Sequence, residues 1–379
     1  MMQLLRRLVR PSLALQFLVL ITAVPANALE LTDIAGRTVV LEQPAERVLL
    51  GEGRFLAALG AIGITRPLER VAGMLNEFRR YDPTGFGQYR KAFPAIDAVP
   101  GFGHTSADST SLEKAIALQP DAAIFSVFGH GPDQRAAHIV KALEAAGIPV
   151  LFVDFRQDPL GNTAPSIRLI GRLLGAEEGA EAFAAFHEAE VRRVTQRLEG
   201  ADIVRPTVLL EGHVGLRPNC CFTMARGTLA DLVAAAGGQN IASGILPGPV
   251  GMLNLEHVIT AAPEIYIGTA VGAPTGDMAG AGRIILGPTV GTDMARRSLR
   301  AALQRPGIEG LPAVSSGRAY GIWHHFYNSP LNVYALQKFA TWFHPDLFAG
   351  LEPEKVLERM LKGFAPVDLQ GTYAVGLEP

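Results

Sequence analysis

The sequence has few cysteines, few charges and few aromatic residues for its length. Of 379 residues, only two are cysteine, 18% are charged and 7% are aromatic. Two cysteines cannot form the disulfide framework of a small secreted scaffold. They are the neighbours Cys220 and Cys221. Because adjacent cysteines rarely form an unstrained disulfide, we expect two separate, packed thiols here.

Positive charge and catalytic signatures are also missing. The chain carries 34 Lys and Arg against 36 Asp and Glu, without the basic clusters of a nucleic-acid-binding surface, so no nucleic-acid partner is expected. It has no phosphate loop, no G-x-S-x-G and no H-E-x-x-H motif, and Leu56 occupies the third glycine position of a dinucleotide fingerprint. We therefore expect no catalysis and no resident cofactor, and keep a secreted enzyme as a distant alternative.

The N-terminus has the pattern of a secretory signal. Arg6, Arg7 and Arg10 precede an apolar run over residues 13–24, which is too short to span a bilayer, and Ala28 ends a small-x-small cleavage site. No cysteine lies near that site for a lipid anchor. The sequence thus predicts cleavage after Ala28 and a periplasmic protein.

The rest of the chain reads as strands followed by glycine-rich loops and helices, which is typical of α/β folds. The pattern also repeats. Glu113 stands seven positions before Pro120, and Glu256 stands seven positions before Pro263, each pair ahead of an apolar strand. The flanking segments that correspond are 47–53 with 207–213 and 142–153 with 303–319.

One long helix is predicted between the two repeats, over residues 175–199. Its apolar residues recur at three- and four-residue steps, glutamates lie in its first turns and arginines in its last. The predicted fold is α/β: two similar lobes with mainly parallel sheets flanked by helices, joined by this single long α-helix, with a ligand cleft between the lobes. The predicted divisions are a signal peptide (1–28), a first lobe (29–160), a linker with the long helix (161–200) and a second lobe with a helical tail (201–379).

Five segments in the right order resemble one family, the extracytoplasmic substrate-binding proteins of iron-siderophore, haem and cobalamin ABC importers. They are LTDIAGRTVVLEQPAERVLL (31–50), LEKAIALQPDAAIF (112–125), TLADLVAAAGGQNIA (228–242), LEHVITAAPEIYI (255–267) and LPAVSSGRAYGIW (311–323). The resemblance implies two lobes around one helix, a ligand held in the cleft, a monomer, and an importer permease in the inner membrane as partner. It also implies that one glutamate on each lobe docks on permease arginines. Glu113 and Glu256 match those positions.

Three stretches depart from the commoner members of that family. The first lobe is enlarged around residues 76–106, a segment follows residue 345, and the motif WHHFYNSP occupies residues 323–330. Because these differences fall near the expected cleft, the resemblance leaves the identity of the ligand open.

Ligand contacts are expected at the carboxyl ends of the strands, where open α/β sheets bind ligands. Arginines and aromatic rings there suit an anionic ferric chelate, since guanidinium groups pair with carboxylates and stack on rings. The candidate residues are Arg54, His130, Arg156, His213, Arg217, Trp323, His324, His325 and Tyr327.

Other cargoes fit the same fold. His324 or His325 with Tyr327 could ligate haem iron, cobalamin is another cargo of the family, and an arginine-lined cleft could hold an oxyanion such as molybdate. A bare divalent metal would need several converging groups, for which His104, His130, His213 and His324 are the candidates.

Overall fold

A computed structural model describes residues 28–217, 219–272 and 282–377. The predicted signal peptide therefore lies outside the described residues, except for Ala28. Within the described part of the chain, every helix falls short of the length and apolar character that a bilayer span requires.

The first lobe is built on a four-stranded parallel sheet with the order β4-β3-β5-β6, next to a small antiparallel hairpin of β1 and β2. Every residue of the four sheet strands is buried, as expected for a parallel sheet covered on both faces. The strands are β1 (Leu29–Thr32), β2 (Thr38–Leu41), β3 (Val48–Leu50), β4 (Val71–Met74), β5 (Ala122–Ser126) and β6 (Val150–Val153); the helices are α1 (Leu56–Ala61), α2 (Glu77–Tyr81), α3 (Pro83–Ala92), α4 (Leu112–Ala117) and α5 (Ala137–Ala145).

Two helices, α6 (Pro159–Leu174) and α7 (Glu177–Glu199), follow the first lobe and pack along each other. The sequence pattern predicted only the second helix. It gave no signal for α6 because Gly161, Pro165 and Gly171 all disfavour a helix interior. At Gly171 the two helices approach so closely that an added Cβ would lie 2.3 Å from the Cβ of Ala180.

The second lobe contains a seven-stranded mixed sheet with the order β10-β8-β7-β11-β13-β15, and β9 pairs beside β7. Its centre is parallel, whereas β8, β10 and β15 are antiparallel to their neighbours. A separate two-stranded sheet pairs β12 with β14. The strands of the second lobe are β7 (Thr207–Glu211), β8 (Phe222–Met224), β9 (Gln239–Asn240), β10 (Val250–Met252), β11 (Ile265–Ala270), β12 (Gly287–Pro288), β13 (Ala319–Trp323), β14 (Gly371–Thr372) and β15 (Ala374–Gly376); its helices are α8 (Thr228–Ala235), α9 (Leu255–Ala261), α10 (Thr292–Leu303), α11 (Pro312–Ser315), α12 (Val333–Phe343) and α13 (Pro353–Phe364). Short 3₁₀ turns cover residues 53–55, 67–70, 94–98, 107–109, 324–328 and 330–332.

Buried polar contacts attach the connecting helices to the second lobe. His187 on α7 bonds through Nε2 to Asn332 Oδ1 at 2.8 Å, and Asn332 Nδ2 donates to Thr163 Oγ1 on α6 at 2.8 Å. One turn further along α7, Gln337 Nε2 donates to the carboxylate of Glu190 at 2.8 Å. Because unpaired buried polar groups are costly, these bonds fix how the helix pair sits on the second lobe.

The α/β class with two parallel-cored lobes is confirmed, and most predicted elements are present. Two further expectations differ from the structure. The segment after residue 345 is not only helical, because β15 adds a strand to the second sheet beside β13. Cys220 and Cys221 form a disulfide instead of two free thiols, with their Cα atoms 3.1 Å apart.

Candidate ligand-binding cleft

Loops that follow strands of both lobes face each other across a cleft of about 610 Å³. From the first lobe, the loops after β5 and β6 contribute His130 and Arg156. From the second lobe, His213 follows β7, and His324 follows β13 directly. The cleft thus lies where the carboxyl ends of parallel strands meet, as open α/β sheets place their ligand sites.

Seven of the nine candidate ligand residues line this cleft: His130, Arg156, His213, Arg217, His324, His325 and Tyr327. The other two lie behind it. Arg54 is only 7% exposed and turns back onto Glu52, and Trp323 is only 6% exposed and packs edge-on against Phe326 and Tyr373.

Glu52 forms the centre of a buried polar network beneath the cleft. Its carboxylate accepts hydrogen bonds from Arg54 Nη2 at 2.8 Å, from Arg156 Nη2 at 3.2 Å and from Ser126 Oγ at 3.0 Å. Asn328 Nδ2, from the second lobe, donates to the same carboxylate at 2.7 Å. Burial alone would raise the pKa of Glu52, but Arg156 and Arg54 outweigh it and lower the pKa to about 2. Glu52 is therefore a permanent anion that bridges the lobes.

A second buried carboxylate, Glu77, accepts bonds from the backbone N–H groups of Gly53 at 2.9 Å and Arg54 at 3.2 Å. It thereby holds the turn that carries Glu52 and Arg54. Burial raises its pKa to about 7, with Arg54 acting in the opposite direction.

Tyr327 makes a second contact between the lobes. Its hydroxyl receives a hydrogen bond from Arg54 Nη1 at 3.0 Å and bonds to His130 Nε2 at 2.9 Å. Its ring lies 4.9 Å from the guanidinium carbon of Arg156, within the range of a cation–π contact. Nearby, His325 Nε2 donates to the carbonyl of Tyr81 at 2.9 Å, so the enlarged segment of the first lobe also reaches the second.

The lining of the cleft is strongly positive. It contains five arginines and no aspartate or glutamate among the described residues. A cleft lined by charge of one sign focuses its field on a ligand of the opposite sign. The arginines are Arg80, Arg156, Arg217, Arg226 and Arg283.

Arg283 is the most deeply buried of these arginines. It is only 3% exposed, one Nη2–H donates to the carbonyl of Gly272 at 2.9 Å, and its Nε has no partner among the described residues. Burial lowers its pKa. A guanidinium stays charged in proteins, and no carboxylate in the described part of the chain pairs with this one.

The histidines of the cleft are neutral. Burial, with a contribution from Arg217 and Arg283, lowers the pKa of His213 to about 4, and burial lowers that of His130 to about 3. Burial also depresses the pKa values of His324 and His325 strongly. The rings of His213 and His324 lie side by side with centroids 3.8 Å apart.

The histidines differ in which ring nitrogens remain available to a ligand. His325 is bonded at both ring nitrogens, to Arg54 and to the Tyr81 carbonyl. Among the described residues, His324 bonds through Nδ1 alone, to Thr269 Oγ1 at 2.8 Å. Neither ring nitrogen of His213 has a hydrogen-bond partner within the described ranges, and its backbone φ of 54° is unusual for a residue other than glycine.

The described residues offer no cluster of histidines for a bare metal ion. The only convergent group among them is Glu211 with Cys220 and Cys221, and both cysteines are oxidised to a disulfide. Glu211 is itself held by Arg305 and by the hydroxyl of Tyr266, each at 2.6 Å. His104 does not line the cleft.

Apolar side chains also line the cleft, and sequence reasoning missed them together with three arginines. Arg80 lies on the enlarged segment, and Arg226 and Arg283 lie outside the strand-end loops that were searched. Nothing in their local pattern marks them, because the fold alone brings them together. The apolar residues are Phe128, Leu216, Phe222, Met224, Pro249, Val250 and Val271.

The predicted docking residues lie outside the cleft. Glu113 on α4 and Glu256 on α9 are both exposed, and neither carboxylate pairs with a cation within the described residues. Each lies in a first helical turn that precedes a parallel strand of its own lobe. The sequence repeat is thus matched by equivalent placement in the two lobes.

Solved structures of the same architecture place this chain among known folds. The TroA-like periplasmic binding protein FepB from Veillonella parvula is 24% identical, with a TM-score of 0.80, and the alignment covers 92% of this chain and 99% of that one. MolA from Haemophilus influenzae, solved bound to molybdate, is 14% identical, with a TM-score of 0.66 and coverage of 90% and 99%. A periplasmic heme-binding protein from Pseudomonas aeruginosa is 17% identical, with a TM-score of 0.54 and coverage of 88% and 99%.

A search of curated proteins finds no match. The sequence itself supports the same assignment through a family model described as periplasmic binding protein. This model matches residues 88–322, which is more than half of the chain. This chain therefore belongs to the periplasmic binding protein family.

Proposed function

We propose that this protein captures an anionic ferric chelate of the siderophore type in the periplasm and delivers it to an ABC importer. The observation that carries the proposal is the cleft with five arginines and no described carboxylate. Guanidinium groups bind the carboxylate or catecholate oxygens of such chelates through paired, charge-assisted hydrogen bonds. The predicted signal peptide and the family support export and delivery.

The size and the apolar wall of the cleft favour a chelate over a small oxyanion. A volume of about 610 Å³ is typical of sites for drug-sized organic molecules. An oxyanion such as molybdate is too small to contact the apolar side chains that also line the cleft. A bare divalent cation would be repelled by the same arginines.

Haem is the second candidate. His213 and His324 lie together on the cleft, each with at least one ring nitrogen that bonds to no described residue, and neutral imidazole is a haem ligand. His325 and Tyr327 are less suited to this role than the sequence indicated, since their polar atoms already bond to protein groups.

Delivery would use Glu113 and Glu256, one on each lobe, as contacts for cations of the permease. Charge pairs at such an interface mainly set register and encounter rate. Because Glu52 and Tyr327 already bond the lobes to each other, we expect only a small closing movement around the cargo.

Fluorescence of Trp323 tests the cargo directly. The chain has two tryptophans, so the substitution Trp342→Phe leaves Trp323 as the only reporter, with its ring 5.2 Å from that of the cleft residue His325. We expect saturable quenching by a ferric tricatecholate and none by molybdate. Haemin binding with a Soret shift would favour the second candidate, and the absence of any response to ferric chelates would refute the proposal.

Arg283 should be required for binding but not for stability. The substitution Arg283→Met removes a buried cation that pairs with no carboxylate of the described residues, so the midpoint of urea unfolding of the free protein should stay the same or rise. The affinity for the ferric chelate should fall about tenfold to a hundredfold, as for the loss of a charge-assisted hydrogen bond. Arg66→Gln, at an exposed arginine paired with Glu69, is the control. A lower midpoint with unchanged affinity would assign Arg283 a structural role.

The low pKa of His213 should appear in the pH dependence of stability. The unfolded chain takes up a proton near the ordinary histidine pKa of about 6.5, whereas the folded chain does so only near 4. The unfolded state therefore binds more protons between these values, and the free energy of unfolding falls as pH falls through this window. From about pH 7 to about pH 5, the wild type should lose about 2 kcal/mol more than His213→Asn, whose asparagine tolerates the positive φ. Equal losses in urea titrations would contradict this.

Charge reversal at the docking residues should separate delivery from capture. Glu113→Arg and Glu256→Arg should each leave the ferric-chelate affinity unchanged, because both side chains are exposed outside the cleft. Iron uptake by cells that depend on this protein should fall about tenfold or more, since like charges would meet at the permease. Glu309→Arg, at another exposed glutamate, is the matched control. Normal uptake by both variants would exclude these glutamates from docking.

A further inference from the structure

One apolar surface continues the cleft beyond its mouth. In the antiparallel pair of β8 and β10, Met224 lies opposite Val250, and Phe222 lies opposite Met252. Directly paired residues project from the same face of a sheet, so these four side chains form one patch. Three of them, Phe222, Met224 and Val250, line the cleft. Met252 belongs to the same face, on β10 opposite the cleft residue Phe222, and is the one member of the four outside the cleft lining.

The outer part of this patch is exposed although it is apolar. Val250 is 47% exposed and Met252 is 46% exposed, and Leu216, at the rim of the cleft, is 44% exposed. Single exposed apolar residues are ordinary, but a contiguous group that leads out of a binding site indicates a ligand contact. The opposite face of the ribbon differs, since Thr223 is fully buried there and Gly251 faces Leu246.

Cations border this apolar patch. Arg217 places its guanidinium carbon 4.2 Å from the centre of the Phe222 ring, and Arg226 follows Met224 by two residues and donates to the carbonyl of Pro247 at 3.1 Å. A cargo that fills the cleft would thus meet cations and this apolar strip next to each other.

We infer that the cargo carries an apolar arm, an acyl or aryl group attached to the chelate, which leaves the cleft along Phe222, Val250 and Met252. This inference rests on the proposed function and names the chemical class of chelate: amphipathic instead of compact and wholly polar. The arm is chosen over a protein partner because the strip is continuous with the cleft lining and only its last residue lies outside it.

The test compares two forms of one ferric tricatecholate, which carry an acetyl or an octanoyl group on the same scaffold. The octanoyl form has six more methylenes to bury, and a partly exposed strip realises a fraction of the full gain, so this form should bind about tenfold tighter or more. In Met252→Ser, that advantage should shrink to about threefold or less, while the affinity for the acetyl form stays within about twofold, because Met252 lies outside the cleft lining. In Val250→Ser, the octanoyl advantage should shrink as well. Ile259→Ser is the matched control, because Ile259 is 50% exposed but lies on α9, outside the cleft lining.

Each of the other possible results leads to a different conclusion. Equal affinity for the two forms would overturn the arm while leaving capture of ferric chelates intact. The same would follow if the octanoyl advantage survived Met252→Ser and Val250→Ser. If neither form bound, the proposed function would fail, and the arm would fail with it. A wild-type dimer in light scattering that Met252→Ser converts to a monomer would instead assign the strip to a contact between two copies of this chain.

Discussion

The buried carboxylate of Glu52 is the contact on which the rest of the site depends. It binds Arg54 and Arg156 from its own lobe and Asn328 from the other. Without it, two buried guanidiniums would lack their main counter-charge, and breaking a buried pair in this way costs about 3–5 kcal/mol. The same bonds orient Arg156 toward the cleft and bring Tyr327 against His130. One anion thus organises both the junction of the lobes and the floor of the site.

Arg156 and Arg283 differ in whether a described carboxylate compensates their charge. Glu52 compensates Arg156 from behind, but Arg283 stays without a carboxylate in the described part of the chain, and the histidines remain neutral through burial. The anionic cargo proposed above would supply a counter-charge to Arg283 on binding. Functional sites commonly contain groups that lower the stability of the free protein and favour ligand binding.

Much of the fold follows from local pattern, and much of the site does not. The strand-end rule located His130, Arg156, His213 and His324 because parallel strands bring their carboxyl ends together. It could not say which way each side chain turns. Trp323 is the last residue of β13 and packs behind the cleft, whereas His324 begins the 3₁₀ turn over residues 324–328 and lines the cleft.

Other features had no sequence signal of their own. The helix α6 was hidden by Gly161 and Pro165, which tertiary packing overrides. Arg80 and Arg283 join the cleft from segments about two hundred residues apart, and only the packing of the lobes brings them together. The disulfide of Cys220 and Cys221 contradicts a rule that is sound on average for adjacent cysteines.

The most direct test of this account is a crystal structure of the protein loaded with a ferric chelate, with data collected at the iron absorption edge. The account predicts one anomalous peak inside the cleft, with oxygen atoms of the chelate bonded to Arg156 and Arg283. A peak outside the cleft, or an iron complex whose charge meets neither arginine, would contradict it.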